Sequence, residues 1–125
     1  MILNQLTKEE ASVILDKNTE APFVGEYYNF FKEGKYICRQ CETPLYLSND
    51  KFEVGSGFAG CGWPSFDQEI DGMVKKILDK DGHRTEIICN NCGAHLGHVF
   101  SGEGFTKTNM RHCVNSISLK FVPKV

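Results

Sequence analysis

The sequence predicts a mainly β domain with a helical N-terminal segment, clipped together by a metal ion held on cysteines. Three observations carry that prediction. From Lys35 onward, short segments rich in β-branched and aromatic residues alternate with Gly, Asn and Asp, the punctuation of strands and turns. Ahead of them lies one apolar stripe at helical spacing behind a capping signal. Two CxxC pairs, Cys38/Cys41 and Cys89/Cys92, fall within the β-rich part. At 125 residues the chain reads as one domain, 1–125, with the helical segment at about 5–20 and the β core at about 35–123.

The helix rests on "TKEEASVILDK", where Thr7 is the N-cap, Glu10 three residues on completes a capping box, and Ala11, Ile14 and Leu15 form the apolar stripe. Further on, "MVKKIL" and "RTEIIC" flank "DKDGH", and Asp81-Gly82 suits a tight hairpin turn with positive φ that leaves His83 in solvent. The segment "RHCVNSISLKFV" reads as one strand. Its alternation puts Arg111, Cys113, Asn115, Ile117, Leu119 and Phe121 on one face and His112, Val114, Ser116, Ser118, Lys120 and Val122 on the other. Cys113 would then share its face with a cation, an amide and three core residues.

Net charge is −2 and the pI about 6.1, with both signs interspersed, so nothing resembles a face that neutralises phosphates and nucleic acid is not an expected partner. The start, "MILNQLTKEE", lacks a basic stretch followed by an apolar run of about 7 to 15 residues, and no apolar run approaches the roughly 20 that span a bilayer. The expectation is a soluble, cytoplasmic monomer. In a reducing compartment six cysteines point to metal binding and thiol chemistry rather than to a disulfide framework.

"CRQC" and "CNNC" are two knuckles, and four thiolates around one tetrahedral Zn²⁺ are their natural sum. Residues 42 through 88 separate them, so the ion would tie distant strands together. A redox CxxC belongs at a strand-to-helix turn of a βαβ unit and fits a β-rich chain poorly. A site on "CNNCGAHLGH", with His95 and His98 joining Cys89 and Cys92, would strand Cys38 and Cys41 and ranks lower.

Cys61, in "GCGWPSF", and Cys113, in "RHCVNS", remain. A free cysteine is more often a small core residue than a nucleophile. Against that, Arg111 and His112 flank Cys113, and a neighbouring cation raises the thiolate fraction. Cys61 follows a Gly-rich stretch, and two unpaired thiols make the attacking and resolving pair that redox cysteine chemistry requires. His95 and His98, three apart in "HLGHVF", can share a pocket, although structural histidines are as consistent with the spacing. Trp63 is either a core anchor or an aromatic wall for a thioether or methyl group.

Taken together, "PFVGEYY", "GCGWPSF", "CNNCGAHLGHVF", "RHCVNSISLKF" and the two knuckles closely resemble the zinc-containing methionine sulfoxide reductases B, in consistent order from about Leu6 to Pro123. The resemblance implies two antiparallel β-sheets packed as a small barrel or sandwich, with short N-terminal helices. It implies Cys113 as nucleophile, Cys61 as resolving thiol, and His98, His95 and Asn115 as polar groups of the active site. Trp63, with Arg111, falls to substrate binding, and Cys38, Cys41, Cys89 and Cys92 to one structural zinc ion. The implied reaction is thiol-dependent reduction of protein-bound methionine (R)-sulfoxide through a sulfenic acid and a Cys61–Cys113 disulfide, which a thioredoxin-like partner reduces. With the substrate methyl group against Trp63 and its oxygen toward the histidines, only one epimer presents its sulfur to Cys113.

Two departures stand out. "EVGSGFAGCGWP" is longer than usual before the Gly-Trp-Pro turn, and after "GHVF" the chain reads "SGEGFTKTN" where relatives carry Asp-Gly-Pro, leaving Glu103 as the acidic residue there. Two rival classes differ in what they predict. A zinc-binding adaptor or nucleic-acid module would leave Cys61 and Cys113 inert and want a basic face. A general disulfide oxidoreductase would use a CxxC and hold no zinc.

Overall fold

The computed structural model describes residues 2–53 and 61–124. Its one α-helix, α1, spans Lys8–Ile14 inside the stretch read as helical, and both capping-box hydrogen bonds form: Glu10 N–H donates to Thr7 Oγ1 at 3.2 Å and Thr7 N–H to Glu10 Oε1 at 2.9 Å. A Ser/Thr cap of this kind stabilises by about 1 kcal/mol. The buried face is Val13 and Ile14, whereas Leu15, assigned above to the apolar stripe, is 57% exposed because the helix has already reached its C-cap there.

Among the described residues nine strands follow: β1 (Gly34–Cys38), β2 (Pro44–Leu47), β3 (Lys51–Phe52), β4 (Ser65–Phe66), β5 (Val74–Leu78), β6 (Thr85–Cys89), β7 (His95–Ser101), β8 (Met110–Val114) and β9 (Leu119–Pro123). They form two sheets, β2-β1-β9 and β3-β4-β8-β7-β6-β5, antiparallel at every pairing. The expected hairpin joins β5 to β6, with Gly82 at φ 76° in its turn. Among the described residues no helix is long and apolar enough to cross a membrane.

The single strand expected over "RHCVNSISLKFV" is two strands in different sheets. A 3-10 turn at Ser116–Ser118 hands the chain from β8 to β9, and Ser118 N–H closes it on Asn115 O at 3.0 Å. The predicted alternation therefore fails: His112, Val114, Ser116 and Ser118 are buried, and the side carrying Arg111 and Cys113 is only partly covered. Hydrogen bonding makes the polar burial affordable. His112 Nδ1 meets Tyr46 Oη at 2.8 Å, Ser116 Oγ accepts from Tyr27 N–H at 3.1 Å, and Ser118 Oγ donates to His95 O at 2.8 Å.

Aromatic rings join the sheets. Tyr36 of β1 packs edge-on against Phe66 of β4 with centroids 5.1 Å apart, and Phe66 stacks on Tyr46 of β2 at 4.4 Å. Tyr27, from the N-terminal arm, leans on Tyr36, and its hydroxyl accepts from Phe121 N–H at 3.0 Å. The arm is thereby held against the β2-β1-β9 sheet, and it reaches the pocket described next.

Candidate active site and metal centre

Cys38 ends β1 and Cys89 ends β6, and the two knuckles that follow share one hydrogen-bond plan. Cys38 N–H donates to Thr43 O (2.8 Å) and Glu42 N–H to Cys38 O (2.8 Å), just as Cys89 N–H donates to Ala94 O (2.9 Å) and Gly93 N–H to Cys89 O (2.8 Å). Each knuckle turns through one left-handed residue, Glu42 (φ 67°) or Gly93 (φ 81°). The four Sγ atoms lie within 4.8 Å of one another, with Cys38–Cys92 and Cys41–Cys89 both at 3.6 Å. Zinc–sulfur bonds of about 2.3 Å in a tetrahedron require sulfurs roughly 3.8 Å apart, so four soft thiolate donors at this spacing fit such an ion. Asn91 Nδ2 lies 3.5 Å from Cys41 Sγ, and Thr43 Oγ1 lies 3.1 Å from it. Neither His95 nor His98 belongs to the cluster, which removes the mixed cysteine–histidine alternative.

The second thiol group is built around β8. Ser65 pairs with Cys113 across β4 and β8, so the turn carrying Cys61 and Trp63 into β4 brings the Cys61 thiol to the same cavity as that of Cys113. Opposite, Gly97 of β7 comes so close that a Cβ there would sit 2.0 Å from Cys113 O, and only glycine permits the approach. A cavity of about 190 Å³ opens over the pair, walled by Cys61, Trp63, His98, Arg111, Cys113 and Asn115. Thr19, Arg84 and Phe100 complete its rim, and the sequence had singled out none of them.

Arg111 supplies the cation. Its guanidinium pairs with Glu103 through Nε–Oε1 at 2.7 Å and Nη2–Oε2 at 3.2 Å, covers the Phe100 ring at 4.6 Å, and sets Nη1 3.7 Å from Cys61 Sγ. Glu103 is thus the acidic partner in the segment that replaces Asp-Gly-Pro. His112 is not a second cation for Cys113. It points to the other side of β8, and burial pushes its imidazole down to about 4 and keeps it neutral.

The two thiols titrate as a pair. The hydrogen bond from Cys113, helped by the Trp63 backbone, Ser65 and Arg111, draws Cys61 down to about 5, while the same contact, burial and the Cys61 charge push Cys113 up. One negative charge therefore resides on the pair at neutral pH. Its cause is chiefly the partner sulfur, with Arg111 as a lesser contributor.

Glu20, in the N-terminal arm, ties the remaining groups together. Its carbonyl accepts from Trp63 Nε1 (3.0 Å), its N–H donates to Asn115 Oδ1 (3.0 Å), and its carboxylate accepts from Ser116 N–H. Asn115 Nδ2 in turn donates to Leu96 O at 3.0 Å, which leaves the amide no freedom to flip. Gly62, at φ 96° and packed on Pro22, allows the turn that aims Trp63 at this arm. His98 Nε2 meets Asp79 Oδ1 at 3.0 Å. His95 stands one layer behind, 1% exposed, with Nδ1 2.7 Å from Glu86 Oε2 and its ring 5.8 Å from that of His98. Glu86 is buried and bridged to Lys17 Nζ at 3.0 Å. Residues 54–60, which carry most of the loop read as unusually long, lie outside the described residues, while Cys61 lies within them.

A family model described as the SelR domain matches residues 6–123. The chain is 54% identical to "Peptide methionine sulfoxide reductase B3" of Arabidopsis thaliana over 94% of its own length and 65% of that protein's. It is 51% identical to the chloroplastic B2 protein of the same plant over 95% of this chain and 57% of the relative. With the B5 protein of Oryza sativa subsp. japonica it shares 50% identity over 94% of this chain and 84% of the relative. The chain thus spans less than two-thirds of either Arabidopsis relative. The SelR match over nearly its whole length, with half or more of its residues shared with these proteins, shows that the chain belongs to the methionine sulfoxide reductase B family.

Proposed function

We infer that this chain reduces protein-bound methionine (R)-sulfoxide to methionine, with Cys113 as nucleophile and Cys61 as resolving thiol. One observation carries the reading: two thiols open onto one cavity whose other walls are an indole, an imidazole, an amide and a guanidinium. A sulfoxide needs a sulfur nucleophile and a donor for its departing oxygen, and an apolar wall against its methyl group favours the fit.

The chemistry balances as follows. Cys113 attacks the substrate sulfur, leaving its proton on the Cys61 thiolate, while His98 donates a proton to the sulfoxide oxygen. The hydroxyl passes to the Cys113 sulfur and the bond between the two sulfurs breaks, releasing the thioether and leaving Cys113 as sulfenic acid. Cys61 thiol then condenses with it, expelling water and forming the Cys61–Cys113 disulfide. An external dithiol of the thioredoxin kind exchanges with that disulfide and restores both thiols. In a site of this shape Trp63 holds the methyl group, Asn115 and Arg111 bound the oxygen side, and His95 supports His98. Cys38, Cys41, Cys89 and Cys92 would hold one zinc ion whose contribution is structural, binding energy that serves as folding energy. The reducing cytoplasm suits such a cycle, and nothing in it calls for more than a monomer.

The test is to incubate the purified protein with a racemic methionine-sulfoxide peptide and a dithiol, then resolve both epimers on a chiral column. Loss of the R epimer alone is expected. Two untouched epimers with folded, metal-loaded protein would return the chain to the class of zinc-binding adaptors.

A further inference from the structure

Two carboxylates bond side chains that line the cavity, and they serve different partners. Glu103 is spent on Arg111. The other, Asp79, comes from the β5–β6 turn and meets His98 Nε2 at 3.0 Å. The turn is braced for that contact. Asp79 N–H donates to Arg84 O (2.8 Å) and Gly82 N–H to Asp79 O (2.9 Å), while Asp79 Oδ2 accepts from Asp81 N–H (3.2 Å) and lies 3.7 Å from Arg84 Nη2. Asp81 clamps the far end, accepting from His83 N–H (2.8 Å), Arg84 N–H (3.1 Å) and Arg84 Nε (2.8 Å). Such a network holds one carboxylate oxygen against the imidazole without borrowing from the core. Hydrogen bonds from His98 and from the Asp81 backbone keep the Asp79 carboxyl below the usual carboxylate range.

With Nε2 engaged by Asp79, Nδ1 is the ring nitrogen left for a ligand in the cavity that His98 lines. We propose that Asp79 is a positioning residue for the sulfoxide reduction: by holding Nε2 it fixes the His98 ring so that Nδ1 serves the substrate oxygen. After the Nδ1 proton leaves, the ring keeps Nε2–H on Asp79, and the external dithiol cycle is unaffected. The other groups that bear on His98 are Cys113 opposite on β8, Glu86 opposite on β6, His95 on its own strand, and Arg84 and Arg111 at the rim. Glu86 is already taken by His95 and Lys17, which leaves Asp79 as the anion bonded to the His98 ring.

The inference rests on the reductase reading and fails separately from it. Rates of a single reductant-free turnover on an R-sulfoxide peptide would be followed across pH for the native chain, Asp79→Asn and Asp79→Glu, with zinc content and melting temperature checked for each. A native chain that leaves the R-sulfoxide untouched overturns the parent reading and this inference with it. A native chain that turns over while Asp79→Asn matches it at every pH overturns only the inference. The expected result is a roughly 10- to 100-fold slower turnover in Asp79→Asn with little change in KM. Asp79→Glu, which keeps a carboxylate within reach of the ring, should recover part of the rate. A loss that appears as a raised KM, or one that Asp79→Glu does not relieve, would mark Asp79 as merely structural and overturn the proposal.

Discussion

At the ends of β1 and β6, four sulfurs are gathered by backbone turns and by Asn91 and Thr43. On β8 and the turn before β4, two sulfurs are gathered around a cavity and a guanidinium. The side chain is the same in both places, and its surroundings divide the roles. Cross-knuckle sulfurs at 3.6 Å with polar donors outside them match the geometry of a cation and leave no position for a substrate. The Cys61–Cys113 pair instead lies beside a guanidinium, 3.7 Å from the Cys61 sulfur, and beside space for a ligand of about 190 Å³. Spacing of two residues brings four sulfurs within reach of one cation, while the two cysteines isolated along the chain meet at a cavity.

Several changes would break or sharpen that contrast. The largest effect is expected from Cys113→Ser, which should abolish sulfoxide reduction with the zinc content and melting curve intact; turnover surviving in that variant would remove Cys113 from the mechanism. Cys61→Ala should retain one stoichiometric turnover and lose thioredoxin-driven cycling, since deleting Cys61 also removes the main cause that pushes the Cys113 thiol up. Mass-spectrometric detection of one sulfenic acid per chain checks it.

The metal cluster should respond in the opposite sense. Stripping the ion with a chelator, or Cys89→Ser, should unfold the chain rather than inhibit it, because such sites contribute energy on the scale of a domain's whole stability, about 5–15 kcal/mol. An unchanged melting curve after proven zinc loss would contradict this.

A smaller effect concerns charge. Alkylation by iodoacetamide followed against pH should show the first thiolate with a midpoint near 5, located by peptide mapping at Cys61. Arg111→Gln should raise that midpoint modestly, by about one unit, since the Cys113 hydrogen bond is the larger cause. Alkylation appearing first at Cys113 would reverse the assignment of the charge.

The smallest effect lies outside both thiol groups. His112 is held neutral by burial at about 4 when folded, against about 6.5 when unfolded. Between those values the unfolded chain binds the extra proton, so stability is complete above about pH 6.5 and lost as pH falls toward 4, by up to roughly 3 kcal/mol. Denaturant melts over that window check it, and His112→Asn should flatten the dependence.

The contrast also shows what could be read without coordinates. CxxC spacing announces the knuckles because a tetrahedral ion and a two-residue turn impose it locally. Thr7 and Glu10 announce the helix start because the capping box closes within one turn. His112 and the Ser116–Ser118 turn went unread for the converse reason: alternation assumes one strand in one sheet, and the chain changed sheets after Val114. Asp79 and Glu20 carried no signal either. A carboxylate in a turn or an arm is ordinary in any sequence, and each takes its meaning from a partner 19 or 95 residues away.

By itself, then, the sequence determined the local devices: which cysteines pair in knuckles, which stand alone, where a helix is capped and where a hairpin turns. These are properties of a few consecutive residues and of the atoms within one turn. The tertiary structure decided that the two lone cysteines meet at one cavity, which histidine lines it and which lies behind, and which carboxylate meets which basic side chain. Those outcomes depend on distances between separate strands, and through them on burial and field, which no stretch of sequence contains.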